Sequence, residues 1–140
     1  MTEDPAVVVR AFVEAINSGS SGQVAALMTK NHLFVDSDGT ESLGRSAVAA
    51  AWGAYFDLVP DYRITIGEIL AAGGTVLLAG QAEGTFVRDG TLRAEDHWRV
   101  PAAWKAVVDR DRVAHWQVFV NPEPLTRILE NIGGSDGRHR

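Results

Sequence analysis

The chain has 140 residues, of which 46% are apolar and 22% charged, and it carries a net charge of −5 at pH 7. A chain of this size makes one domain that buries roughly 68% of its unfolded surface and folds without crosslinks. The lack of cysteine excludes disulfides, thiolate metal sites and cysteine nucleophiles together.

The acidic balance argues against nucleic acid or an anionic membrane as partner, since either would favour a basic face. The arginines are scattered, and Arg110-Asp-Arg112 reads as a solvated turn. The longest mainly apolar stretch, Ile69–Gly80, falls short of the about 20 residues that a spanning helix requires. The acidic start Met1-Thr-Glu-Asp-Pro5 lacks the basic and apolar runs of a signal peptide, so a soluble cytoplasmic chain is expected.

In chain order, the first helix opens with Asp4 as N-cap and Pro5 in its first turn, carries Val8, Phe12, Ala15 and Ile16 on one face, and stops at Ser18-Gly19. A shorter helix is predicted from Gln23 to Met28. His32 to Asp36 reads as a strand, with Asp36-Ser-Asp38-Gly39 as its turn. Gly44 to Leu58 is the third helix, with Val48, Trp52, Tyr55 and Phe56 at helical spacing and Val59-Pro60 ending it.

After Pro60 the pattern becomes β-rich: Tyr62–Ala71, Thr75–Arg88, Arg93–Asp109 and Arg112–Asn121, divided by Gly73-Gly74, Asp89-Gly90 and Asp109-Arg-Asp111. Such short punctuations suit hairpins of an antiparallel meander. Gly80 and Gly84 inside one strand point to bulges or a strongly bent sheet. Glu123–Asn131 is predicted as a short helix, and Gly133–Arg140 as a polar, glycine-rich tail. The expected organisation is a single domain over 1–131 with a flexible tail over 132–140.

Helices followed by long antiparallel strands make an α+β architecture. We expect a cone-shaped α+β barrel, with three N-terminal helices packed on a strongly curved, mostly antiparallel sheet. A ligand would sit in the conical space so enclosed.

Two stretches carry a resemblance. One runs from Ala11-Phe-Val-Glu-Ala-Ile-Asn-Ser-Gly19 through Phe34-Val-Asp36-Ser-Asp38-Gly39. The other comprises Val100-Pro-Ala-Ala-Trp-Lys105 and Arg112-Val-Ala-His-Trp116-Gln-Val-Phe-Val-Asn121. Over roughly Pro5 to Pro124 the chain resembles the nuclear transport factor 2-like superfamily, in its ketosteroid-isomerase and SnoaL-like polyketide-cyclase branch.

The resemblance implies that Asp36 stands where the isomerase carries its general base. A carboxylate buried deep in an apolar funnel there would lift a proton from carbon beside a carbonyl and return it elsewhere. The two oxyanion donors of that enzyme do not carry over, because their positions hold Phe12 and Ala103. Losing one such donor typically costs about 100- to 1,000-fold in rate, so His97, Lys105, Tyr55 or a tryptophan N–H would have to replace them. The cyclase branch implies an aspartate near Asn121, whose amide cannot act as a base.

Each candidate also has an ordinary structural reading. Asp36 and Asp38 either share a face with Phe34 or bond nearby backbone amides in a turn, with Asp38 the better turn residue. His97, in Glu95-Asp96-His97-Trp98, either shares acid–base work with Asp36 or is a hydrogen-bonded strand histidine. Adjacent strand residues point to opposite faces, which argues against a metal site there.

In the strand from Asp96, Trp98, Val100, Ala102 and Trp104 share one face, and His97, Arg99, Ala103 and Lys105 the other. Hydrophobicity turns the tryptophan face inward, whereas the family register turns Ala103 toward the cavity. Both hold if the tryptophan face packs on a second subunit.

The leading reading is a homodimer that binds a small, largely apolar molecule in a conical pocket. The activity this implies is cofactor-independent isomerase or cyclase chemistry, without a metal. The expected catalytic residues are Asp36 and His97. The expected walls are Phe12, Phe34, Trp52, Tyr55, Phe56, Ala103, Trp116 and Val118. The alternative is a non-enzymatic ligand carrier or dimerisation module, and a cavity larger than about 300 Å³ favours ligand binding. A third reading, epoxide hydrolysis, needs two carboxylates sharing an arginine, with Asp36 and Arg99 as candidates.

Overall fold

The computed structural model describes residues 4–135. Its elements are α1 (Pro5–Asn17), α2 (Ser21–Ala26), β1 (Met28–Val35), β2 (Glu41–Leu43), α3 (Arg45–Leu58), β3 (Arg63–Ala72), β4 (Thr75–Arg88), β5 (Thr91–Asp109), β6 (Arg112–Val120) and α4 (Glu123–Ser135). The Asp4 carboxylate accepts the Ala6 amide at 3.0 Å, and Pro5 occupies a first-turn position whose N–H has no helical partner anyway. Val8, Val9, Phe12, Val13 and Ile16 form the buried face of α1, and Gly19 leaves the helix at φ +73°. The Asn17 side chain accepts from the Ile64 amide at 2.8 Å and donates to the Ile64 carbonyl at 3.0 Å, tying the end of α1 to β3.

Several boundaries differ from expectation for local reasons. Ser20 caps α2 by accepting the Gln23 amide at 3.2 Å, so that helix starts before Gln23. Met28, read as helical, is instead a buried residue of β1. β2 is too short to leave a pattern in the sequence, and it pairs antiparallel with the end of β1. Residues 132–135, expected in the tail, continue α4, while residues 136–140 lie outside the described residues.

The strands form one mixed sheet in the order β2-β1-β6-β5-β4-β3, with β1 parallel to β6 and every other pairing antiparallel. The sheet curls without closing, since β2 and β3 remain its edges. Gly80 permits part of the bend: a Cβ there would collide with the Thr65 carbonyl and the Gly67 amide, where the β3–β4 register slips.

β5 settles which of its faces points inward. Trp98, Val100, Ala102, Trp104 and Ala106 are buried against the helices, and they belong to the same core as Val48, Trp52 and Phe56 of α3. The expectation that Ala103 faces the cavity is corrected. Strict alternation puts it on the outer face with His97, Arg99 and Lys105, and the bulky tryptophans claim the interior.

Candidate functional site

The concave face of the sheet and α3 enclose a cavity of about 320 Å³. All four tryptophans of the chain, Trp52, Trp98, Trp104 and Trp116, line it. Trp104 and Trp116 are almost wholly buried at its inner end, with ring centroids 6.3 Å apart. Nearer the mouth, Trp52 meets Phe34 at 6.1 Å, Tyr55 at 6.3 Å and Tyr62 at 6.2 Å, and Tyr62 meets Trp98 at 6.0 Å. Asp36, Ser37 and Ser42 add polar groups, and Pro122 and Leu125 bring the start of α4 to the wall.

Tyr62 escapes a sequence reading that assigns it to a strand. It lies in the turn after α3, and that turn is held to β4 by Asp61, whose carboxylate accepts the Thr85 amide and hydroxyl at 2.7 Å each. The only available signal is Gly84, where a Cβ would overlap Val59 Cγ1 and press on Trp98. The missing side chain lets the turn approach the sheet closely enough to bring Tyr62 into the cavity wall.

Asp36 lies at the mouth. β1 ends one residue earlier, at Val35, so Asp36 begins the turn: its amide donates to the Thr40 carbonyl at 2.9 Å, and its carboxylate accepts the Ser37 amide at 2.7 Å. The expectation of deep burial is corrected, because a turn residue cannot lie on the floor of the cone and Asp36 is exposed. Asp38 is the turn residue that was expected. Its carboxylate accepts the Thr40 amide, which holds it below the ordinary aspartate range.

Burial pushes the Tyr55 and Tyr62 phenols well above their ordinary pKa. The Asp36 charge adds to the effect on both, and Tyr55 also raises Tyr62. Both phenols therefore stay protonated and remain able to donate hydrogen bonds. The indole N–H groups of Trp52 and Trp98 are buried with no hydrogen-bond partner among the described residues.

Of the residues expected at the site, Asp36, Phe34, Trp52, Tyr55, Trp116 and Val118 line the cavity. Four do not. Phe12 is fully buried one layer behind the floor, 5.0 Å from Trp116, because α1 packs across the sheet there. Phe56 backs Trp52 at 5.4 Å from the next turn of α3. Ala103 and His97 occupy the outer face of β5, where the His97 ring contacts the Thr85 hydroxyl at 2.9 Å and the Glu83 carboxylate at 3.5 Å.

His32, unremarked in the sequence, is fully buried on β1. Its Nδ1 meets the Val113 carbonyl at 2.7 Å, and burial lowers its pKa. The pairing that epoxide hydrolysis would need is also absent from the cavity. Arg99 bonds Gln81 on the outer face, and the arginine set between two carboxylates is Arg88, with Asp96 at 2.6 Å and Glu95 at 3.6 Å, outside the cavity lining. Among the described residues, no three histidine, aspartate or glutamate side chains gather as a metal-ligand set.

The sequence profile of the SnoaL-like domain matches residues 9–118. No curated protein matches the chain significantly in sequence. A proposed SnoaL-like polyketide cyclase from Shewanella denitrificans superposes with a TM-score of 0.78 at 12% identity, covering 91% of this chain and 97% of its own. A protein of ketosteroid-isomerase-like fold from Catenulispora acidiphila, in complex with trimethylamine, gives 0.70 at 18% identity, covering 80% and 83%. An epoxide hydrolase from M. tuberculosis, of the type abbreviated LEH-like, gives 0.75 at 15% identity, covering 98% of each chain. These identities speak to fold alone. With most of its length matched by the profile, from the middle of α1 into β6, this chain belongs to the SnoaL-like domain family.

Proposed function

We propose that this protein binds a small, largely apolar molecule inside the cone, with the ligand's polar end at Asp36. The observation that carries this reading is the cavity itself. About 320 Å³ is left unfilled behind an aromatic wall, where a core serving only stability would close to native packing density.

A second reading, isomerase- or cyclase-type proton transfer with Asp36 as base, draws on the grouping of Asp36 with Tyr55 and Tyr62. One carboxylate and two protonated phenols supply an acceptor for a proton and donors for a developing oxyanion, in place of those lost at Phe12 and Ala103. His97, on the outer face, has no part in it.

Titration of the intrinsic tryptophan fluorescence with cyclic ketones and polyketide-like aromatics tests the binding reading. Saturable quenching is expected, and a flat response to every member of the panel would contradict it. For the second reading, Asp36→Asn should lower turnover of any converted ketone by about 100-fold or more. Unchanged turnover would remove Asp36 from the chemistry.

The outer face of the sheet supports a homodimer. Leu70 and Leu77 sit opposite each other in register, and Phe119 lies beside Ala103, which is itself beside Ala79. Leu70 is 73% and Phe119 50% exposed, so a second copy covering this face would bury a ready apolar patch.

A further inference from the structure

We infer that the polar end of the ligand is an organic cation, an alkylated or protonated amine attached to the apolar body. The inference rests on the ligand-binding reading and adds a chemical class to it. It gives Asp36 the role of counter-ion, whether or not the pair also moves a proton.

The charge inventory of the cavity leads there. Asp36 is the one charged side chain lining it, and no lysine, arginine or histidine among the described residues shares the wall. Its carboxylate accepts the Ser37 amide, and no ion pair to it exists among the described residues. A neutral ligand filling the cone to its mouth would strip water from this carboxylate and offer nothing in return. Even partial loss of that hydration, with no partner to replace it, disfavours such a ligand. An anionic ligand would add repulsion to that cost.

The remaining walls point the same way. Next to Asp36 the rings of Phe34, Trp52, Tyr55 and Tyr62 form a connected group, with Tyr55 and Tyr62 edge to face at 5.1 Å. Aromatic faces carry negative quadrupole potential and attract ammonium groups, tryptophan most strongly. The Asp36 charge acts on both phenols, which places it close to this aromatic group. A cationic centre seated there meets the carboxylate on one side and the rings on the others, while its apolar body continues toward Trp104 and Trp116. The net charge of −5 adds long-range attraction for the same sign of ligand.

Benzyltrimethylammonium and its neutral isostere neopentylbenzene, titrated against the tryptophan fluorescence of the full chain, separate a preference for cations from ligand binding as such. The cation should bind about tenfold or more tightly than the isostere, and that preference should shrink as salt is added. Asp36→Asn should reduce the preference at least about threefold, by weakening the binding of the cation and not that of neopentylbenzene, which no longer approaches a charge. Equal or tighter binding of the neutral compound overturns the cation inference and leaves the ligand-binding reading standing. Failure of both probes to bind overturns both. Asp36→Asn retaining the full preference would also overturn the assignment. Because the comparison of the two probes is made on the wild-type chain, it stands even if the variant misfolds.

Discussion

Among the described residues, Asp36 brings the one charged side chain to the cavity wall, and its position follows from where one strand stops. Asp36 does not continue β1, which stops at Val35. Instead its backbone closes the turn with Thr40 and Gly39, and the carboxylate stands at the mouth. His32 shows the opposite case. Its ring is fully buried, Nδ1 is committed to the Val113 carbonyl, and Nε2 has no partner among the described residues. The short contact to a carbonyl fixes the neutral tautomer with the proton on Nδ1. A second proton would sit on Nε2 with nothing to receive it, which agrees with a pKa depressed chiefly by burial.

Because the folded pKa of His32 lies below the unfolded value of about 6.5, the unfolded chain takes up more protons below that pH. The contribution of His32 to stability is complete above about 6.5 and declines as pH falls toward the folded value. Urea unfolding at pH 7.5 and 5.5 should show lower stability at the acid end, with a smaller difference in His32→Leu. That variant should lose about 1–3 kcal/mol at pH 7.5, because the Val113 carbonyl is left without its partner. An unchanged pH difference in the variant would mean that His32 does not titrate on unfolding.

At the scale of elements, the reliable signals were those with local physical causes. The Asp4 cap, the Pro5 start, the Gly19 stop and the limits of β4 all follow from side-chain chemistry within a few residues, and the structure places them as expected. β2 and the length of α4 were not legible, the first because three residues carry no period and the second because Gly133 and Gly134 read as a helix stop. Of the site, the aromatic wall on α3 and β6 was readable from spacing. Tyr62 was not, because its place depends on a turn lying against a glycine of another strand.

That dependence can be tested. Gly84→Ala puts a methyl group into the space held by Val59 and Trp98. It should destabilise the fold by about 1–3 kcal/mol, measured by denaturant unfolding. It should also weaken ligand binding by moving Tyr62 from the wall. Wild-type stability in this variant would show that the turn has slack.

For the molecule as a whole, one sheet serves two surfaces, because strand alternation separates them cleanly. The concave face gathers the tryptophans around a cavity, and the convex face carries Leu77, Ala79, Ala103, Lys105 and Phe119. The strict alternation of β5 was visible in the sequence. Which face turns inward is not legible there, since hydrophobicity and the family register point opposite ways, and the volume of the tryptophans decides it. If a second copy covers the convex face, Phe119→Glu should convert a dimer to a monomer in sedimentation equilibrium and leave ligand binding intact. A wild-type protein that sediments as a monomer would refute the pairing.

In the proposed reading, the cone is a binding cavity whose polar end is Asp36. Crystals soaked with benzyltrimethylammonium address it most directly. Density is expected inside the cone, with the ammonium seated among Asp36, Tyr55 and Tyr62 and the phenyl ring pointing toward Trp104. A cavity collapsed by rotation of Trp52 or Tyr55, or a ligand found only on the convex face, would contradict it.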